Sequence, residues 1–109
     1  MTEQNYAAMT EHELRQEIAN LKEKARKAEQ LGIVNEFAVY ERKAIMAAAY
    51  LVDLSTIILG EMYRIDGAPG EFFQVDRLKG RFAWGHRLGS DRYEEAIPVS
   101  MLVPVKVGK

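Results

Sequence analysis

The spacing of apolar residues changes partway along this 109-residue chain, and that change limits the folds open to it. Up to about Leu51 the apolar residues recur every three or four positions, as they do on one face of a helix. From Gly60 onward they alternate with polar residues between glycine-containing turns, which is the pattern of short strands. We therefore expect an α+β protein in which a helical part precedes a sheet.

The first helix has the clearest start and stop signals. Thr10 and Glu13 match the capping-box pattern, in which each side chain accepts a hydrogen bond from the backbone amide of the other residue. From Leu14 to Ala28 apolar residues recur at alternating steps of four and three, forming one apolar stripe. Gly32 is placed to end the helix, because glycine adopts the left-handed conformation without a side-chain clash.

A second helix is predicted from about residue 35 to residue 51. The connection around Gly32 is short, which makes the two helices antiparallel neighbours in a hairpin over residues 10–52. Residues 44–49 are apolar nearly all round this helix, more than one partner helix can cover. Either the rest of the chain or a second copy must cover the surplus, and a homodimer would bury Ile45, Met46 or Ala49.

Four or five short strands are predicted after a connector at residues 53–59, in which residues 57–59 should be tucked against apolar surface. The strands cover residues 62–65, 72–75, 81–87, 96–99 and 101–103. Glycine in the turns supplies the positive φ angles of tight hairpins, while Pro98 and Pro104 restrict the last two strands to edges or strand ends. Such spacing suggests a small SH3-like antiparallel β-barrel, partly open, over residues 60–105. Together with the hairpin it is expected to form a single domain spanning residues 1–109.

The third strand presents two different faces. Residues of alternate parity point to opposite sides of a strand, so Phe82, Trp84 and His86 share one face. We predict that this aromatic face is buried and that Trp84 is a structural anchor. Arg81 and Arg87 would then point outward.

Segments spread along the chain form a pattern that covers nearly its whole length. They are residues 9–14, 23–30 followed by Gly32, 35–36, 41–43, 82–85 (Phe-Ala-Trp-Gly) and 94–100 (Glu-Glu-Ala-Ile-Pro-Val-Ser). This pattern resembles the YfhH-like family of small uncharacterised proteins from spore-forming Gram-positive bacteria. The resemblance implies a helical hairpin attached to an SH3-like barrel. It carries over no catalytic or binding residue, and the label of transcriptional regulator given to some members suggests a role without a mechanism.

Side chains that support catalysis are scarce. Cys is absent, which excludes disulfides, thiolate metal sites and a cysteine nucleophile. His12 is expected in an exposed first helical turn and His86 in the core or at its rim, so neither suits a metal site or a catalytic base. Glu94 and Glu95 are interpreted as a solvated turn rather than an acid–base pair. With no glycine-rich phosphate loop either, we predict no enzyme activity, no metal and no cofactor.

Two functions remain after this exclusion. The first is a non-enzymatic interaction or regulatory module that contacts an unknown protein partner through an apolar helix face or a sheet edge. The alternative is a nucleic-acid-associated, transcription-related regulator that uses basic residues of the barrel as its contacts. The candidate contact residues for nucleic acid or partner are Arg77, Lys79, Arg81, Arg87 and Arg92.

Charge favours the first of these functions. Basic and acidic residues number 15 and 16 in the whole chain, and eight and seven from Gly60 to the end, a net of +1 for that part. Domains that bind nucleic acid are normally far more basic. No apolar run approaches the roughly 18 residues of a membrane span. No secretory signal pattern opens the chain. We therefore expect a cytoplasmic protein without a membrane partner.

Overall fold

The computed structural model describes residues 5–105, except for the side chains of residues 90–92. Two α-helices are followed by five β-strands, and short 3₁₀ turns lie at Tyr6–Ala8, Leu54–Thr56 and Val99–Met101. The helices are α1 (Glu11–Gln30) and α2 (Val34–Ala49). The strands are β1 (Met62–Ile65), β2 (Phe72–Lys79), β3 (Phe82–Arg87), β4 (Ser90–Pro98) and β5 (Leu102–Pro104). The chain divides into two compact units between Leu51 and Val52, close to the predicted end of the hairpin at residue 52.

Local interactions at both ends of α1 confirm the predicted signals. The Thr10 hydroxyl accepts from the Glu13 amide at 3.1 Å, and the Glu13 carboxylate accepts from the Thr10 amide at 3.0 Å. At the other end Gly32 has a φ of 75°, and the Ile33 amide donates to the Ala28 carbonyl at 2.9 Å. That bond satisfies a carbonyl that the last helical turn leaves without a partner.

The two helices pack against each other across the connection at residues 31–33. Residues at the predicted spacing are buried on α1, including Leu14 and Leu21. The ammonium group of Lys24 on α1 lies 5.9 Å from the ring centre of Tyr40 on α2. Because positions 24 and 40 are equidistant from Gly32, this contact fits an antiparallel pair of helices.

The apolar surplus of α2 is distributed differently from the prediction. Ala49 is completely buried, and Ile45 and Met46 are each partly buried. The apolar residues left open lie instead in the connection and on the first half of α2, where Val34 and Val39 are exposed. The sequence predicted a dimer contact at Ile45, Met46 or Ala49. Ala49 is not available for that contact, because it is completely buried within the chain.

The five strands form one antiparallel sheet in the order β4-β3-β2-β1-β5. The predicted α+β class is confirmed. Within the described residues β4 and β5 are the edge strands and do not pair with each other, so the sheet is open. In an antiparallel sheet of this kind one face packs on the core and the other faces water. Successive residues along each strand therefore alternate between buried and exposed positions.

Two strand boundaries differ from the prediction by more than one residue. β2 continues to Lys79, and β4 begins at Ser90, so Glu94 and Glu95 lie within a strand rather than in a solvated turn. Both carboxylates pair with arginines of other strands, Glu94 with Arg77 on β2 and Glu95 with Arg87 on β3, which lets charged residues occupy strand positions that strand propensity alone disfavours.

The buried face of β3 is opposite to the predicted one. Ala83 and Gly85 are buried, whereas Phe82, Trp84 and His86 are only partly buried. A steric constraint accompanies this arrangement: a Cβ atom at Gly85 would overlap the backbone carbonyl oxygen of Gln74 on β2. The inward residues of the other strands are Tyr63, Ile65, Phe73, Val75 and Ile97.

The connector before β1 is only partly tucked in. Ile57 is partly buried, but Ile58 and Leu59 are more than half exposed, contrary to the prediction for residues 57–59. The Ile58 amide donates to the buried Tyr63 hydroxyl at 3.0 Å, which satisfies that polar group without burying the Ile58 side chain.

Candidate functional site

A cluster of polar and aromatic side chains covers the outer face of β2, β3 and β4. We call it the Trp84 surface and define it by six residues that lie on the side of the sheet away from Ala83 and Phe73. They are Gln74, Asp76, Arg77, Trp84, His86 and Glu94.

A β-bulge in β2 produces this cluster. Val75 pairs with Gly85 and Arg77 pairs with Trp84, so Asp76 is an extra residue on β2. Both Asp76 and Arg77 are exposed, although adjacent strand residues normally point to opposite faces. The bulge therefore places two adjacent charged side chains on the same surface.

Arg77 joins the aromatic ring to a carboxylate. Its guanidinium carbon lies 4.7 Å from the centre of the Trp84 ring, within the range of a cation–π contact. Its Nε and Nη2 atoms donate to the two carboxylate oxygens of Glu94 at 3.3 and 3.2 Å. These bonds are longer than charge-assisted hydrogen bonds usually are, and both side chains remain exposed to water, so the pair is weak.

His86 and Asp76 form a second pair beside the first. The His86 Nδ1 atom lies 2.9 Å from an Asp76 carboxylate oxygen, and about a third of each side chain is exposed. An imidazole protonated on Nδ1 donates to this carboxylate, which fixes the orientation of the ring. Gln74 lies opposite His86 in the sheet register and donates from Nε2 to the Gly60 carbonyl at 3.3 Å. The polar side chains of this surface are thus held in place by neighbours.

Arg87 belongs to a different group on the other side of the sheet. It lies opposite the buried Phe73 in the register, and its Nε donates to Glu95 at 2.6 Å, while Nη1 pairs with Glu71. Donation to Glu95, and then to Glu71, raises the pKa of Arg87. The Arg87 guanidinium is therefore already paired with two carboxylates, those of Glu95 and Glu71.

The predicted basic residues consequently do not form one groove. Arg77 and Lys79 lie on the outer side of β2, and Arg87 lies on the other side of the sheet. The Arg81 guanidinium donates to the Val52 carbonyl at 2.9 Å. The side chain of Arg92, the fifth predicted contact, lies outside the described residues.

The predicted contact residues are all basic, whereas both groups also contain acidic residues. Glu94 and Glu95 pair with Arg77 and Arg87 of other strands, Glu71 also pairs with Arg87, and Asp76 pairs with His86. One signal was available: Glu94 and Glu95 directly precede an alternating strand segment, so they could have been read as its extension. Their partners could not be identified, because register and bulges decide which residues face each other.

Two searches of the described residues gave negative findings. No cluster of three or more His, Asp or Glu side chains that could hold a metal ion occurs among them. In the same part of the chain, neither helix combines the length and the apolar character needed to cross a lipid bilayer.

Comparison with known proteins assigns the chain to a family. The model of a protein family of unknown function, DUF1811, matches residues 4–103. The chain belongs to the DUF1811 family. A relative in Bacillus subtilis strain 168, described as uncharacterized protein YfhH, is 53% identical over 100 residues, which cover 92% of this chain and 95% of the relative. The YfhH-like resemblance is therefore confirmed, and the DUF1811 match leaves function to be argued from the Trp84 surface.

Proposed function

We propose that this DUF1811 protein is a non-enzymatic, regulatory interaction module of the cytoplasm that binds a protein segment on the Trp84 surface. The observation that carries the proposal is the partly exposed Trp84 ring with the Arg77 guanidinium held 4.7 Å from its centre. Trp and Arg are the residues most enriched among those that dominate binding energy in protein interfaces.

The geometry of Arg77 suits a partner that carries a carboxylate next to an apolar side chain. The apolar group would cover the open part of the Trp84 ring, and the carboxylate would replace Glu94 on Arg77. Because exposed ion pairs contribute only about 0–1 kcal/mol, exchanging Glu94 for a partner's carboxylate costs little. The pre-ordered Arg77 side chain also reduces the entropy lost on binding.

A nucleic-acid partner is the second candidate. A phosphate would compete with Glu94 for Arg77 and with two carboxylates, Glu95 and Glu71, for Arg87. Arg77 and Arg87 lie on opposite sides of the sheet, so one backbone strand would not follow both. A base could still stack on Trp84. Capture with and without nuclease therefore tests for nucleic acid as well as for protein.

We also propose that this open sheet is a partly open SH3-like barrel. The strand order β4-β3-β2-β1-β5 and the 3₁₀ turn at Val99–Met101 between β4 and β5 support this description. Small barrels of this kind serve as binding modules for extended segments. A cytoplasmic site of action fits a chain without Cys, since such a chain has no disulfide to protect from reduction.

The experiment is affinity capture from a Bacillus subtilis lysate, with and without nuclease, using wild type and three variants. Trp84→Ala and Arg77→Ala remove the two central contacts. Arg26→Ala is the matched control, because Arg26 is equally exposed and also paired with a nearby glutamate, but on α1. Each variant is first checked for folding by circular dichroism.

A protein captured by wild type and by Arg26→Ala, lost with both Trp84→Ala and Arg77→Ala, and retained after nuclease treatment would support the proposal. Binding of that purified protein should then weaken about tenfold or more with either variant, as truncation of an interface residue of this type does. Loss of all capture after nuclease would favour nucleic acid. Capture that is equal for all four proteins would contradict the use of the Trp84 surface.

A further inference from the structure

The first half of α2 carries an open surface that the proposed function does not use. A groove of about 430 Å³ runs along it, lined by Asn35, Ala38, Val39, Arg42 and Lys43. About half of the Val39 side chain is exposed at its centre.

Helix geometry places this groove away from α1. Asn35, Val39, Arg42 and Met46 follow the spacing of one helix face. Phe37, Ala44 and Ala47 lie on a different face and are partly or fully buried. The face centred on Val39, which we call the Val39 seam, is exposed at Asn35 and Arg42 and partly buried at Met46.

The charges beside the seam are complementary under a two-fold rotation. Glu36 and Lys43 line a second, smaller groove that shares Val39 with the first and lies on the side toward Tyr40. They are separated by about 10 Å along the helix axis, too far to pair within one chain. If an identical helix lies antiparallel against the seam, position 36 of one copy comes opposite position 43 of the other. The two-fold axis repeats this contact, so two opposite-charge pairs form around the central valines.

We propose that the protein forms a symmetric homodimer in which the Val39 seams of two α2 helices pack antiparallel, with Glu36 of each copy paired to Lys43 of the other. The Val39 side chains cover each other at the axis. A second copy of this chain is the partner that fits, because its Lys43 meets Glu36 and its Glu36 meets Lys43. Both copies thus use the same surface. This contact lies on the first half of α2, away from the covered Ala49.

A charge-swap series tests the proposal by sedimentation equilibrium over a concentration range. Wild type should shift with concentration from the 12.4 kDa monomer to twice that mass. Glu36→Lys and Lys43→Glu should each raise the dimer dissociation constant about tenfold, because each replaces two attractive pairs by two repulsive ones. The double variant Glu36→Lys with Lys43→Glu restores opposite charges across the axis and should return the constant to near the wild-type value. Glu61→Lys is the control, an exposed charge reversal in the other unit, and should leave it unchanged.

Three results would overturn the proposal. A wild-type mass that stays at the monomer value up to about 0.5 mM would exclude a dimer of useful strength. A dimer whose dissociation constant is unchanged by either single charge reversal would show that the interface lies elsewhere. A double variant that stays as weak as the single ones would show that Glu36 and Lys43 do not face each other. Circular dichroism of each variant separates these results from misfolding.

Discussion

The carbonyl group of Gln74 on β2 lies directly against the Cα atom of Gly85 on β3. A Cβ atom on residue 85 would overlap the Gln74 carbonyl oxygen and lie 2.9 Å from its carbonyl carbon and 3.2 Å from the Asp76 amide nitrogen. This close approach occurs at the β2 bulge that exposes both Asp76 and Arg77. The absence of a side chain at Gly85 thus permits the close strand approach at the bulge that places Asp76 and Arg77 on the Trp84 surface.

Gly85→Ala should destabilise the protein by about 3 kcal/mol, at the upper end of the usual range for overpacking, because the added methyl group meets backbone that cannot rotate away. Urea denaturation followed by tryptophan fluorescence measures this change. Gly67→Ala is the matched control: Gly67 has a φ of 84° and open space around its Cα. It should cost only the strain of a left-handed alanine, about 1–2 kcal/mol. Equal losses for the two variants would contradict the close approach at Gly85.

Phe73→Ala should cost more stability than Trp84→Ala. Phe73 is completely buried, so its truncation should cost about 3–5 kcal/mol. Trp84 is partly exposed on the outer face and loses part of its buried area and its contact with Arg77, about 1–2 kcal/mol together. Chemical denaturation of the two variants decides the order. A larger loss of stability for Trp84→Ala than for Phe73→Ala would show that Trp84 is a core anchor, as the sequence predicted.

The capping box of α1 should make a measurable contribution to stability. Thr10→Ala removes the acceptor of the Glu13 amide and should lower the free energy of unfolding by about 1 kcal/mol. Thr10→Ser keeps a hydroxyl at the same position and is expected to unfold close to wild type. The comparison uses thermal unfolding followed by circular dichroism at 222 nm. A Thr10→Ala protein as stable as the serine variant would show that water replaces the cap without cost.

Stability should fall in acid partly because of Asp53. Donation from the Ser55 hydroxyl at 2.7 Å, and then from the Ser55 amide at 3.0 Å, holds the pKa of Asp53 below its ordinary value. A carboxylate with a depressed folded-state pKa stabilises the protein above its unfolded-state pKa, and this contribution is lost as the pH falls through the folded-state value.

Asp53→Asn keeps a side-chain acceptor but removes the charge, so it isolates this effect. The melting temperature of wild type should exceed that of Asp53→Asn near neutral pH, and the difference should shrink as the pH falls below about 4. Melting curves from pH 7 to pH 2.5 measure it. A difference that is constant across this range would show that the charge of Asp53 does not contribute.

The sequence by itself determined the features that depend on neighbours a few residues apart. The capping box joins positions 10 and 13, and the end of α1 needs only Gly32 and the carbonyls of the preceding turn. The change of period predicted two helices followed by antiparallel strands, because the spacing of apolar residues directly reflects the repeat of each structure. The family pattern was also readable from the residues alone.

Only the tertiary structure decided which face of β3 is buried and which charges meet. Hydrophobicity favoured Trp84 for the core, but the buried residues of β3 are Ala83 and Gly85, and the Gln74 backbone leaves no room for a Cβ atom at Gly85. Arg77 and Glu94 are 17 positions apart and meet because the bulge at Asp76 shifts the register of β2 against β3. A one-residue shift of register exchanges the two faces of a strand, and packing between distant strands sets that shift, so no local pattern reveals it.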